Sequence, residues 1–416
     1  MKYFSSKLSA GFVAIYSGRM ILTVSGQLFG LFLPIFLYQL FGFNLIWVLA
    51  YYFLRDGAYF LSLPFGCRFF MNRLGLRDSL RLAVVLGSVF YLCFYIIQEM
   101  FGLTQPSFEG AIWIMSILGV NLIILTLFRL NYWVPLHTDI TKFTNKRDRA
   151  KQLSLMAITQ VVLGASMPLL AGWILNYYNY GVLFLLGTLI YLLALIPFAK
   201  LPEVAETFSW SYGQTFKEFV SSKRQKMISA YVGDGAESIV GLVIWPIFIW
   251  ELLEGNYFEV GVISSLIVVV TVVLQFVAGK YIDKGDKGKM LKYGSGLYAI
   301  GWIFKIFITT AFQIFIASTY HNLVRVFART SFDTLNYEMA ADQGHYVDEY
   351  TVLREMAVSL GRMLMSLLVA FLILNFNLEW SFILAALAAL TMNFLAGVGD
   401  AEEEKRISKK LDLKIK

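Results

Sequence analysis

Two carboxylates, Asp234 and Glu237, stand three residues apart in a strongly apolar part of the chain and would share one face of a helix. A second apolar segment carries polar and basic side chains at His321, Asn322, Arg325 and Arg329. Burial disfavours an ionised carboxylate, whereas a neighbouring guanidinium favours it. Such a set could bind and release a proton or a cation, with Arg325 as partner of the acids or as ligand of an anionic substrate. The same residues could equally form static ion pairs that fix helix packing.

The composition predicts that this chemistry lies in a membrane. Apolar residues make up 58% of the 416 residues and charged residues only 15%, against about a quarter charged in a soluble domain. Several runs approach the ~20 apolar residues that cross a bilayer. Two cysteines and three scattered histidines support neither a disulfide framework nor a metal site, and no cofactor is expected. The net charge of +7 lies in loops, where attraction to anionic lipid explains it better than nucleic acid does.

Breaks at charged, Gly and Pro clusters predict an all-α polytopic membrane protein of twelve transmembrane helices. The predicted spans are residues 15–41, 45–66, 79–98, 111–133, 152–177, 181–199, 227–253, 257–280, 290–310, 312–334, 350–375 and 378–398. Loops after odd-numbered spans contain acids but no Lys or Arg, whereas the alternate loops are basic. Cytoplasmic loops carry the excess of Lys and Arg. Both termini are therefore predicted to be cytoplasmic, in a multi-pass protein of the cell membrane.

The most polar internal segment separates six predicted spans from the other six. We expect an N-terminal half at 1–199, a cytoplasmic linker at 200–226, a C-terminal half at 227–400 and a cytoplasmic tail at 401–416. Aromatic residues alternate with polar ones in the linker. The linker could lie on the inner leaflet as an amphipathic segment, or it could simply tether the halves.

The two halves repeat each other at equivalent places. The matching residues are Pro34 and Pro246, Asn72-Arg73 and Asp283-Lys284, and Asn131-Tyr132 and Asn336-Tyr337. The matches come in the same order, at a nearly constant offset, and six spans separate the copies. An even number of spans keeps both copies in the same orientation. The sequence therefore predicts two parallel six-helix halves, related by an axis along the membrane normal.

The loops after spans 2 and 8 carry two partial copies of one motif, Gly-x-x-x-Asp-Arg/Lys-x-Gly-x-Arg/Lys. The second copy keeps Gly279, Asp283 and Lys284. The first copy keeps basic residues at Arg73 and Arg77 but has Asn72 in place of the acid. With its twelve predicted spans in two parallel halves and these two loops, the sequence resembles the major facilitator superfamily.

The resemblance implies alternating access, in which the halves rock about a central cavity lined mainly by spans 1, 4, 7 and 10. It also implies gating loops at Asn72, Arg73, Arg77, Gly279, Asp283 and Lys284, with Asp283 as the better candidate for a latch. The polar residues that we expect to line the cavity are Gln27, Asn121, Asp234, Glu237, Asn322 and Arg325. The expected proton carriers are Asp234, Glu237 and Asp56.

Ionisable groups at bilayer depth are costly, so each is a functional candidate. The adjacent pair Arg55 and Asp56 nevertheless favours a structural role, because neighbouring residues point to different faces of a helix. Lys305, near the outer end of its span, is predicted to extend its ammonium to the lipid headgroups.

These features predict a secondary active transporter of a small molecule, coupled to a proton or cation, with a slight preference for export of amphipathic compounds. A non-transporting sensor or a lipid scramblase on the same scaffold is the alternative, because a fold does not fix a function. An enzyme is not expected, since no convergent nucleophile, acid–base set or nucleotide loop is present. A monomer would suffice, and the sequence leaves the oligomeric state open.

Overall fold

The computed structural model describes residues 8–103, 107–144, 149–203, 208–282, 287–342 and 347–396. Within these ranges all regular structure is helical, which confirms the all-α prediction. The first six predicted spans lie on α1 (Ala10–Gly30), α2 (Leu33–Leu40), α3 (Leu45–Phe101), α4 (Phe108–Phe143), α5 (Arg149–Tyr177), α6 (Tyr180–Leu193) and α7 (Leu195–Ala199). The rest of the chain forms α8 (Tyr212–Phe219), α9 (Gln225–Ile239), α10 (Trp245–Leu252), α11 (Tyr257–Ile282), α12 (Lys287–Phe304), α13 (Ala311–Asp342), α14 (Val347–Ile373) and α15 (Ser381–Thr391).

Nine helices of the described residues are long and apolar enough to cross a membrane. One of them, α3, has 57 residues, or roughly 85 Å at 1.5 Å per residue, nearly three times the ~30 Å hydrocarbon core. It therefore holds predicted spans 2 and 3, joined at Gly75, whose φ of 70° and ψ of 176° are accessible essentially to glycine alone. The predicted spans 290–310 and 312–334 are largely helical but are not among the nine. The total of twelve and the side of the termini stay predictions.

The chain divides into two compact units. The first consists of Met1–Ser211 with Leu242–Val268, and the second of Tyr212–Gly241 with Val269–Lys416. In the first unit α1 packs against α5 and α6, and α3 packs against α4 and α6. In the second unit α9 packs against α14 and α15, and α12 packs against α13. A π-helical stretch, Val240–Ile244, connects α9 to α10.

In the first unit α5 and α11 cross with their backbones in contact. A Cβ added to Gly172 of α5 would lie 2.5 Å from the carbonyl oxygen of Tyr257, and one added to Gly261 of α11 would lie 2.5 Å from that of Pro168. Small residues at such crossings let helices approach closely in membranes, where packing drives association. Only glycine at both positions is compatible with this approach.

Hydrogen bonds in the first unit tie the neighbouring helix ends together. The Tyr38 hydroxyl at the end of α2 donates to Glu251 of α10 at 2.5 Å. The Tyr257 hydroxyl at the start of α11 donates to the Gln39 side chain at 2.8 Å. These bonds and the glycine crossing hold the segment Leu242–Val268 against α2 and α5.

We expect Gly172→Val to hold α5 and α11 apart, because neither backbone can give way to the added methyl groups. The Ser265 hydroxyl, which accepts from the backbone N–H of Leu169 at 3.1 Å, should then become accessible. In a background lacking both native cysteines, a Ser265→Cys probe should react several-fold faster with a membrane-impermeant maleimide. Gly164→Val on the same helix is the control, since a Cβ there meets nothing within 4 Å. Equal labelling in both variants would contradict the crossing.

Candidate functional site

The interior of the second unit contains the ionisable residues that the sequence singled out. Asp234 of α9, only 5% exposed, forms an ion pair with Arg329 of α13. Arg329 also lies 3.4 Å from Asp333, one turn further along the same helix. The sequence favoured Arg325 as the partner of the acids, but the structure places Arg329 in that position. Counting residues from uncertain helix ends could not resolve a single 5.4 Å turn.

Glu237 has a different environment from Asp234, although both are on α9. The Glu237 side chain, 4% exposed, accepts a 2.5 Å hydrogen bond from the hydroxyl of Tyr298 on α12. Within the described residues it forms no ion pair shorter than 4 Å. Glu237 and Tyr298 line a crevice that is too narrow to hold a water molecule, together with Arg325, Ala328, Arg329 and Met392. The sequence did not single out Tyr298, because a tyrosine in an apolar span carries no signal of its partner.

Lys305 does not extend to the headgroups, so that prediction was wrong. It lies in a short 3₁₀ turn after α12, is 2% exposed, and places its ammonium 3.8 Å from the ring centre of Trp302. A cation over an indole face is stabilised by the ring quadrupole, and Glu237 is near enough for its charge to act on Lys305. The turn directs the side chain inward, which residue counting along a straight helix does not reveal.

His321 of α13 packs between two aromatic rings, 4.5 Å from Tyr298 and 4.7 Å from Trp302. The histidine is buried, and its Nδ1 has no hydrogen-bond partner among the residues that the structure describes. The interior of the second unit therefore contains a buried polar cluster formed by Glu237, Tyr298, Trp302, Lys305 and His321. Among the described residues, no group of three His, Cys, Asp or Glu side chains could hold a metal ion.

Arg325 and Asn322 complete the predicted set on α13. The Arg325 side chain is exposed and Asn322 is half-buried. In α14, the Arg362 Nε donates to the Ser238 hydroxyl at 3.0 Å, and Arg354 lies 3.6 Å from Glu355.

The remaining predicted cavity and coupling residues belong to the first unit. Asn121 is fully buried, accepts from the Tyr51 hydroxyl at 2.8 Å and donates to the Phe90 carbonyl at 2.9 Å. The Asn121 amide thus links α4 to the two parts of α3 that precede and follow Gly75. Gln27 is half-buried in α1.

Asp56 lies between two arginines in the first unit. It is completely buried, its Oδ1 accepts from Arg129 at 2.8 Å, and its Oδ2 accepts from Arg55 at 2.6 Å. The Arg129 guanidinium lies 3.7 Å over the ring of Tyr59. A carboxylate held by two guanidiniums has little freedom to bind a proton. This geometry supports the structural role that the sequence favoured for Asp56.

Sequence reasoning missed Arg19, an ionisable residue in the middle of α1. When the Gln160 amide is oriented with its oxygen toward α1, that oxygen accepts from Arg19 at 2.9 and 3.2 Å. A 2.8 Å hydrogen bond joins the neighbouring Tyr16 and Thr159 hydroxyls. The rule that marks ionisable groups at bilayer depth as functional candidates would have identified Arg19.

The first predicted gating loop attaches the linker to α3. The Asn72 side chain accepts from the backbone N–H of Phe208 at 2.9 Å and donates to the Phe208 carbonyl at 3.3 Å. Arg77 lies 3.5 Å from Glu203, and Arg73 lies over the ring of Phe69. An amide can both accept and donate, which an ionised aspartate cannot. The need to pair with both Phe208 groups accounts for Asn72 at the position of the acid.

The second predicted gating loop is only partly described. Gly279 lies in α11, whereas Asp283 and Lys284 fall outside the described residues. In the linker, Phe208, Trp210 and Phe219 are buried. They pack against protein, which favours a tethering linker over a segment lying on the inner leaflet.

We expect Asn72→Asp to loosen the linker, because the carboxylate cannot donate to the Phe208 carbonyl. Limited trypsin digestion of the protein in detergent should cut Lys217, Lys223 or Arg224 several-fold faster than in the wild type. Asp78→Asn, an equally conservative change at a half-exposed residue of the same region, should leave the rate unchanged. A rate in Asn72→Asp equal to that of the wild type would show that the two hydrogen bonds do not hold the linker.

Two comparisons with known proteins bear on the family resemblance and on the fold. The family model described as Major Facilitator Superfamily matches residues 227–413. The crystal structure of a D-xylose-proton symporter aligns with a TM-score of 0.66, covering 92% of this chain and 95% of that chain. The resemblance to the major facilitator superfamily is confirmed. The identity to the symporter is 14%, so this likeness to a major facilitator protein shows the fold alone. No curated protein matches the sequence.

Proposed function

We propose that the chain is a secondary active transporter that moves a small molecule across the cell membrane by alternating access, coupled to protons through Glu237. The observation that carries the coupling is the contrast between the two acids of α9. Asp234 is paired with Arg329, whereas Glu237 is equally buried but has a single short hydrogen bond from a tyrosine. Protonation of a buried carboxylate that has no salt bridge within the described residues disturbs fewer partners than protonation of a carboxylate in an ion pair.

The major facilitator fold supports transport, and the printed title of the structural neighbour, a D-xylose-proton symporter, describes proton coupling in that protein. The aromatic content of 16% supports an amphipathic solute, with export as the proposed direction. Nothing in this proposal requires more than one copy of the chain.

The test is proton movement driven by solute. Purified protein is reconstituted in vesicles that contain the pH dye pyranine, and a panel of sugars, amino acids and amphipathic dyes is added in turn. We expect at least one solute to change the internal pH and to show counterflow of its labelled form. Counterflow without proton movement would overturn the coupling. Transfer of labelled lipids between leaflets with no counterflow would favour the scramblase alternative.

A further inference from the structure

We infer that the second unit binds an anionic group of the transported solute through Arg325 and Asn322 of α13. The inference rests on the proposed function and names the class of its substrate: a small molecule that carries a carboxylate or phosphate. It is supported by the partners of the arginines, the surroundings of Arg325, the local charge and the arrangement of hydrogen-bond donors.

Arg325 differs from the other arginines of the described spans in this unit. Arg329 is paired with Asp234, Arg354 lies beside Glu355, and Arg362 donates to Ser238. Within the described part of the chain, the Arg325 guanidinium forms no hydrogen bond and no ion pair, and its side chain is exposed. A guanidinium has five donors and stays charged in proteins. Its donors are therefore available to a ligand.

We expect the exposed surface of Arg325 not to face lipid, on the prediction that α13 crosses the membrane. Arg325 lies near the middle of the 32-residue helix α13, where contact with hydrocarbon would be costly for an arginine. Its neighbours in the crevice are the polar groups of Glu237, Tyr298 and Arg329. An arginine at this depth with polar neighbours is typical of a wall that faces water or a solute.

The local charge favours an anion. Asp234 and Asp333 are balanced by Arg329 and Arg362, and Glu355 by Arg354. Glu237 is the carboxylate that lines the crevice with Arg325, and its charge also acts on Lys305. When Glu237 is protonated, Arg325 has no acid of its own within the described residues. A bound carboxylate or phosphate would supply that charge, whereas a cationic solute would add to the imbalance.

Asn322 adds a donor on the same face. Residues three apart are neighbours on a helix surface, so the Asn322 amide lies one turn before the Arg325 guanidinium. Asn322 is half-buried, and its side chain forms no hydrogen bond within the described ranges. The planar fork of arginine matches the two oxygens of a carboxylate or phosphate. An amide beside that fork can donate to the same group.

The test compares pairs of solutes that share a skeleton and differ in charge. The pairs are glucose 6-phosphate and glucuronate against glucose, and benzoate against benzyl alcohol. Thermal unfolding is measured in detergent for the wild type, Arg325→Gln, Arg325→Lys and Arg68→Gln. Arg68 is an exposed arginine of the first unit and serves as the matched control. The phosphate and carboxylate arms identify which anion the site prefers.

We expect at least one anion to raise the unfolding temperature of the wild type and of Arg68→Gln, while its neutral counterpart does not. Arg325→Gln should bind that anion about tenfold to a hundredfold more weakly, because a charge-assisted hydrogen bond is lost. Arg325→Lys keeps the charge without the fork and should fall in between. Since Arg325 has no hydrogen bond to lose, both variants should fold.

Three results would overturn the anion site: no anion stabilises the wild type at millimolar concentration, neutral solutes stabilise it as well as anions, or Arg325→Gln binds the anion as tightly as the wild type. Counterflow of a neutral solute alone would overturn it while leaving transport standing. Anion binding through Arg325 without counterflow of any solute would instead overturn the proposed transport and leave the site standing.

Discussion

Replacing Glu237 by Gln is expected to abolish proton-driven solute accumulation, down to the level of empty vesicles, while solute exchange stays within about twofold of the wild type. The glutamine oxygen can still accept the hydrogen bond that the Tyr298 hydroxyl gives to Glu237, so the packing of α9 against α12 is preserved. The amide cannot bind or release a proton in this range of pH. Exchange needs only the movement of loaded protein, whereas accumulation needs the proton.

Two measurements are made on each variant. Counterflow reports exchange, and uptake or expulsion under an imposed pH gradient reports coupling. Glu109→Gln is the control, because it makes the same substitution at an exposed carboxylate in the first turn of α4. Accumulation that survives in Glu237→Gln would remove Glu237 from the mechanism. Asp234→Asn is expected to behave differently, since it leaves Arg329 without its main partner and should lower stability before it affects coupling.

Asp56→Ala should destabilise the first unit by roughly 3–5 kcal/mol, the range found when one partner of a buried ion pair is removed. Asp56 is completely buried and both of its oxygens are bonded to guanidiniums. Without the carboxylate, Arg55 and Arg129 remain close together with no charge between them. We expect a large fall in the midpoint of thermal or denaturant unfolding in detergent.

The control for Asp56→Ala is Asp78→Ala. Asp78 also bridges two arginines, Arg77 and Arg81, but its side chain is 44% exposed, and surface pairs are worth about 0–1 kcal/mol. Equal destabilisation of the two variants would mean that the buried triad is not the stronger contact. If Asp56 were a proton carrier, Asp56→Asn would fold with near wild-type stability and lose coupling, the outcome opposite to the one expected here.

The sequence predicted the helical membrane fold and the resemblance to the major facilitator superfamily well, because hydrophobic runs of span length and loop charge are properties of single segments. It also identified the acids of α9 and the basic residues of α13. It could not determine which arginine meets Asp234, since Arg325 and Arg329 differ by one turn on one face of a helix. Nor could it identify Tyr298 as the partner of Glu237, because that pairing depends on how two distant segments pack.

Lys305 is another residue whose contacts could not be predicted from the sequence. The general tendency of a lysine near a helix end to extend to the headgroups assumes a regular helix. Here a 3₁₀ turn at Lys305–Phe307 redirects the side chain onto Trp302. Asn72 shows the opposite case, in which a departure from the family motif was visible in the sequence. Its reason, a double hydrogen bond to Phe208, needed the structure.

The meeting of Gly172 and Gly261 has a kinetic consequence. Two bare backbones interlock no side chains, so they can separate without any rotamer having to change. The specific bonds at this crossing come from two hydroxyls: Tyr257 donates to Gln39, a bond worth about 1 kcal/mol net, and Tyr38 donates to the Glu251 carboxylate, a bond worth roughly 1.5–3 kcal/mol. In the proposed transport cycle, a closure of this kind would be tight when formed yet have a low barrier to release, as opening on the microsecond-to-millisecond timescale requires.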